Sequence, residues 1–237
     1  MTKRRMKRSD YTQEELNRLE EMNRKYVHVT FGGTSDIYTR SHDATGQVVW
    51  ECIPARQFPQ RFLHKLPIKG ENPGTAWLNW QGKVHKYGTC FYPSVEKMPE
   101  KFNGKLNKFV GLNVDAEEGD VSPFLTLAQK HICQEQRVTY EYLLDWLAHL
   151  IQKPEQKPSV AIILNGEQGT GKGALVEPML RIFGSHAART NGPALITGRF
   201  NSIVEDKLLI FMDETSVVEP AFVNRLKPFI SENTLTI

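Results

Sequence analysis

The run Gly166-Glu167-Gln168-Gly169-Thr170-Gly171-Lys172-Gly173 constrains this chain more than any other segment. It follows the apolar stretch Ser159–Leu164 and opens a segment, Ala174–Phe183, that reads as a helix closed by Gly184. Strand, glycine-rich loop with lysine, then helix is the setting of a phosphate-binding loop. Glycines let successive backbone N–H groups converge on phosphate oxygens with no Cβ in the way. The helix N-terminus adds partial positive charge at the same point. Lys172 then brings an ammonium to the β- and γ-phosphates. The candidate nucleotide contacts are therefore Gly166, Glu167, Gln168, Gly169, Thr170, Gly171, Lys172, Gly173 and Ala174, and the cofactors expected are ATP and Mg²⁺.

A second motif lies downstream. Leu208-Leu209-Ile210-Phe211-Met212 is an apolar strand that runs into Asp213-Glu214. Such a strand belongs in a parallel sheet covered on both faces. Asp213 would hold the metal, and Glu214 would orient and deprotonate the attacking water, which makes Glu214 and Lys172 the candidate catalytic residues. Read alone, two carboxylates at a strand end would only mark a turn; behind a phosphate loop, with room for one helix and one strand between, they carry chemistry. The tandem Asp213-Glu214 also argues against a kinase, because a glutamate beside the metal aspartate suits attack by water. One position departs from the usual loop: Gly173 stands where a metal-binding Ser or Thr hydroxyl is normally found.

A length of 237 residues allows one large domain or two small ones. With 40% hydrophobic and 24% charged residues, the composition is that of a globular protein and excludes a disordered one. No stretch reaches the ~18–20 apolar residues of a membrane span, and no secretory signal opens the chain. Cys52, Cys90 and Cys133 are scattered and odd in number, as reduced cytoplasmic thiols are. Neither His131 with Cys133 nor His85 with Cys90 has a second ligand pair at zinc spacing.

Four regions follow from texture. Residues 1–10 form a basic tail with Lys3, Arg4, Arg5, Lys7 and Arg8, read as solvated and disordered, or alternatively as an arm for nucleic acid. Residues 11–121 are a small α+β region, opened by the capping box Thr12-Gln13-Glu14-Glu15 and a polar helix to about Lys25. Within it, Tyr26–Phe31, Asp36–Tyr38, Gln47–Cys52, Tyr87–Tyr92 and Asn107–Asn113 are expected strands, and Gln57–Leu66 and Thr75–Trp80 short helices. The acidic run Asn113–Asp120 reads as a solvated turn. Residues 122–157 are helical: Tyr140, Leu143, Leu144, Leu147, Leu150 and Ile151 make one apolar stripe. Residues 158–237 are the ATPase core, with Pro178 expected to kink the helix after the loop.

These pieces together resemble the helicase domain of phage and plasmid primase–helicase proteins. The resemblance rests on Asn23–Val29, Tyr140–Ala148, the loop Gly166–Gly173 with its glycine after lysine, Phe200-Asn201, Asp213-Glu214 and Leu226–Glu232, and spans Asn23 to Ile237. It implies an AAA+-like P-loop NTPase of the superfamily 3 helicase type, forming a ring, a hexamer, on single-stranded or forked DNA beside a primase or polymerase. It implies the cytoplasm of a bacterial host as the setting, with a phage or prophage as the source. It also implies a sensor strand and an arginine finger beyond Ile237, so the chain is expected to be an incomplete core. The competing expectation is an inactive remnant that binds DNA or a replication partner.

Overall fold

The computed structural model describes residues 7–94, 98–190, 204–213 and 220–232 of a mixed α/β chain. The chain divides into two compact units, Met1–Tyr92 with Lys97–Val110, and Pro93–Glu96 with Gly111–Ile237.

The first unit begins with a 3₁₀ turn, Arg8–Asp10, in which Arg8 reaches Glu20 at 3.0 Å. Residues 1–6 of the basic stretch lie outside the described residues. Helix α1, Gln13–Lys25, starts where the sequence predicts: the Thr12 hydroxyl accepts from the Glu15 N–H, and the Glu15 carboxylate accepts from the Thr12 N–H. Such reciprocal capping satisfies donors that the first helical turn would otherwise orphan. Leu16, Leu19 and Met22 recur on one face and are buried.

The strands β1 (Tyr26–Phe31), β2 (Thr34–His42) and β3 (Val48–Pro54) form an antiparallel meander. Gly32 and Gly33 make the first turn with φ of 54° and 84°, values that admit glycine readily and favour a hairpin of matching twist. A short β4, His85–Lys86, adds to β1 in parallel, giving the order β3-β2-β1-β4. Against the sheet pack α1, a 3₁₀ turn at Phe58–Phe62, and α2 (Pro73–Asn79), enclosing Leu19, Ile37, Phe58, Ile68 and Trp77. The expected helix Gln57–Leu66 is reduced to the 3₁₀ turn Phe58–Phe62, whereas α2 starts two residues before the expected Thr75. Likewise the predicted strands after Tyr87 and Asn107 reduce to the two-residue parallel pair β5 (Thr89–Cys90) and β6 (Leu106–Asn107). Asn23 ties the unit together: its Oδ1 accepts from Trp77 Nε1 and the Val84 N–H, both at 2.9 Å, and its Nδ2 donates to the Gly82 carbonyl at 2.8 Å.

In the second unit, α3 (Ser122–Thr126) runs directly into a π-helical stretch, Leu127–Ile132. Helix α4, Arg137–Gln152, buries Leu143, Leu147 and Leu150 of the predicted stripe. Helix α5 spans Lys172–Phe183, two residues earlier than expected, and continues through Pro178. A proline there has no N–H to give the Ala174 carbonyl. β7 (Ala187–Thr190) and β8 (Leu209–Met212) pair in parallel, and α6 (Pro220–Ser231) follows. Leu175, Met179 and Phe183 of α5 share a core with Ala128, Leu147 and Leu209.

Two elements differ from those expected. Ser159–Leu164 carries no ladder among the described residues, although Ile162 and Leu164 face the core while Ile163 is 89% exposed. The alternation of a strand is present, but a strand also needs a neighbour to exchange hydrogen bonds with. β8, expected to be buried on both faces, is half-buried along its length, because among the described residues β7 alone flanks it. The acidic run is exposed, and Asp120 accepts from the Ser122 N–H at 2.8 Å, the local turn chemistry expected of it.

Candidate functional site

Gly166, Gly169 and Gly171 have φ of 158°, 84° and 87°. At Gly169 and Gly171 the backbone is in the left-handed region, which explains why glycine recurs there. The loop closes on itself through Lys172. Its Nζ donates to the Gly166 carbonyl at 2.8 Å, to the Glu167 carbonyl at 2.7 Å and to Thr170 Oγ1 at 3.3 Å, while Thr170 Oγ1 donates to the Glu167 carbonyl at 2.9 Å. The lysine of the motif is thus turned back over its own loop, with its three donors used. Gly166, Glu167, Gln168, Gly169, Thr170, Gly173 and Ala174 are all exposed, so the loop faces solvent.

Several groups hold this loop from behind. Gly171 is the N-cap of α5, and its carbonyl accepts from the Leu175 N–H at 3.0 Å. A Cβ built on Gly171 would lie 2.8 Å from Leu127 Cδ1, so the π-helical stretch packs directly on the loop. Trp146 Nε1 of α4 donates to the Val160 carbonyl at 3.1 Å, anchoring the lead-in. His149 Nε2 meets the Gln156 carbonyl at 2.7 Å, which fixes the connector. At the far end of α5, Asn113 donates its N–H to the Ile182 carbonyl at 2.7 Å and its Nδ2 to the Arg181 carbonyl at 3.4 Å. These supports were not legible in the sequence; Leu127 and Asn113 carry no motif.

Asp213 follows β8 directly, and its N–H donates to the Thr190 carbonyl at 2.8 Å, extending the β7–β8 pairing by one rung. The strand therefore delivers Asp213 at the end of a parallel pair on which α5 packs. Arg189 of β7 reaches Glu177 of α5 at 3.1 Å and stacks 5.4 Å from the Phe211 ring, tying these three elements to one another. Glu214 lies outside the described residues. No cluster of three or more His, Cys, Asp or Glu side chains at metal-binding distance occurs among the described residues. No helix among them is long and apolar enough to cross a membrane.

A family of unknown function, DUF5906, matches residues 164–237, the stretch that holds both the glycine-rich loop and Asp213. The chain is homologous to a DNA primase-polymerase of Nitratiruptor phage NrS-1, 36% identical over 98 residues, which is 40% of this chain and 14% of that protein. An apo structure of the NrS-1 C-terminal region superposes with a TM-score of 0.68 at 20% identity, covering 92% of this chain and 50% of that one. A second solved form of that region gives a TM-score of 0.57 at 22% identity over 84% of this chain and 48% of that one. This chain has the fold of that C-terminal region. It spans about half the length of the solved region and a small part of the primase-polymerase.

Proposed function

We propose that this chain is part of an ATP-driven DNA helicase of a phage replication protein, with residues 166–174 as the nucleotide site. The observation that carries the proposal is the arrangement at Lys172. The ammonium lies over its own loop, on the carbonyls of Gly166 and Glu167, where Gly169 and Gly171 adopt left-handed backbone. Phosphate oxygens would accept from the loop N–H groups and from α5, while Lys172 turns from the carbonyls onto the γ-phosphate. On the exchange the ammonium trades neutral carbonyl acceptors for ionised phosphate oxygens, which pairs charge with charge.

The residues present fit Mg²⁺ in part. Asp213 offers a carboxylate, and Gly173 offers no hydroxyl, so the remaining positions fall to phosphate oxygens and water. When bound, the ion would neutralise charge developing between the β- and γ-phosphates. Glu214, next in the chain, would accept a proton from the attacking water. Ring assembly as a hexamer, DNA as track and a primase or polymerase partner belong to the same proposal; the homologous primase-polymerase supports a place in replication.

Phosphate release from ATP–Mg²⁺ by the replication protein that carries this chain, measured with and without single-stranded DNA, tests the reading. DNA-stimulated turnover that is lost in Glu214→Gln, with ATP still bound, is the expected result. Nucleotide binding with no turnover under either condition would instead point to the binding remnant.

A further inference from the structure

In the first unit, far along the sequence from the phosphate loop, a cleft of 480 Å³ lies over the paired strands β1 and β4, lined by His28, Thr30, Gln81, Lys83, His85 and Tyr87. Its walls are fixed. The His28 N–H donates to the Val84 carbonyl at 3.0 Å, Asn23 holds Gly82 and Val84, and the Tyr87 N–H donates to the Gly104 carbonyl at 2.7 Å. The His28 and His85 rings lie 5.0 Å apart, and Thr30 Oγ1 meets His85 Nε2 at 3.0 Å.

The rim is aromatic and basic. Tyr87 stands edge-on to His85 with centroids 4.6 Å apart, yet remains 69% exposed, so one of its faces is presented to solvent. Beside Gly104, the Lys101 and Lys105 ammonium groups sit 5.0 and 5.9 Å from the Phe102 ring. An exposed tyrosine ring with lysine ammonium groups nearby suits a strand of unpaired bases and phosphates.

We propose that this cleft and its rim form a binding site for single-stranded nucleic acid, with a base stacked on Tyr87 and the adjoining phosphates met by Lys83, Lys101 and Lys105. Gln81 and Thr30 supply hydrogen-bonding groups inside the cleft. Base–aromatic stacking tolerates any sequence, so the site reads strandedness and not bases. The proposal is independent of the phosphate loop and of nucleotide.

Fluorescence anisotropy of a labelled oligothymidylate with the full chain, in the absence of ATP, tests it. Tyr87→Ala should weaken binding by roughly 5- to 150-fold, the range for loss of one stacked base. Tyr87→Phe should retain it, since the π-face remains. Lys83→Ala should flatten the salt dependence by ~0.7 in the log–log slope. Lys172→Ala should leave the affinity unchanged, which separates this site from the nucleotide site. Ring signals of His28 and His85 should shift on addition of the oligonucleotide, a readout that needs no substitution. Equal affinity of Tyr87→Ala and the wild type would overturn the proposal. So would binding of thymidine monophosphate as tight as the oligonucleotide, duplex DNA competing equally, or no oligonucleotide binding at all.

Discussion

Leu127 occupies the space that a side chain on Gly171 would need, its Cδ1 only 2.8 Å from where that Cβ would sit. The glycine at the start of α5 is therefore held by packing from the π-helical stretch as well as by its own backbone, at a φ of 87°. π-Helical insertions often mark functional places in helices, and this one sets the seat of the candidate loop.

Gly171→Ala should destabilise the second unit by about 2–4 kcal/mol, combining left-handed strain with overpacking against Leu127. Thermal melts of Gly171→Ala, Leu127→Ala and the double variant test this. The double variant should recover part of the loss, because the contact is removed while the strain remains. Strict additivity would show that Leu127 and Gly171 do not act on one another.

Gly173→Ser should fold normally and keep its affinity for ATP, since a Cβ at Gly173 meets nothing within 4 Å. The added hydroxyl stands where such loops usually ligate Mg²⁺, so the metal concentration needed for binding should fall. A calorimetric titration in which the serine variant fails to bind would mean that the ligand backbone itself needs the space at Gly173.

Histidine burial gives a pH signature. Burial, helped by the charges of Lys83 and His85, pushes His28 down to about 4, and burial also lowers His186 despite its contact with the Asp206 carbonyl at 2.9 Å. An unfolded histidine takes up a proton near pH 6.5, where the folded His28 does not. The stabilisation is fully present above about pH 6.5 and is lost as pH falls toward about 4. Because the His28 ring is only half-buried, solvent screening holds its share to ~1–2 kcal/mol. Urea denaturation at pH 7 and pH 4.5 should show the drop, and His28→Asn should shrink it.

Much of this was legible in the chain. The Thr12–Glu15 capping box, the α4 stripe through Leu143, Leu147 and Leu150, and the apolar run before Asp213 are local patterns, and each produced the expected element. The turn of Lys172 onto the Gly166 and Glu167 carbonyls, by contrast, was not read from the sequence, which set its ammonium against phosphates. What else stayed hidden depends on long-range partners. Asn23 meets Gly82 and Val84 across some sixty residues, Leu127 meets Gly171 across a helix and a connector, and His28 meets His85 only through the sheet. The lead-in Ser159–Leu164 shows the reverse: its alternation is plain, but a ladder depends on a second strand that local pattern cannot supply.

The central claim is that residues 166–174 grip the phosphates of a nucleotide with Lys172 as their cation. Isothermal calorimetry of ATP–Mg²⁺ into the wild type and into Lys172→Ala tests it most directly. Removing one charge-assisted bond of ~1.5–3 kcal/mol should weaken binding by about 10- to 150-fold. Equal affinities for the two proteins, or no binding of ATP–Mg²⁺ by the wild type, would contradict the account.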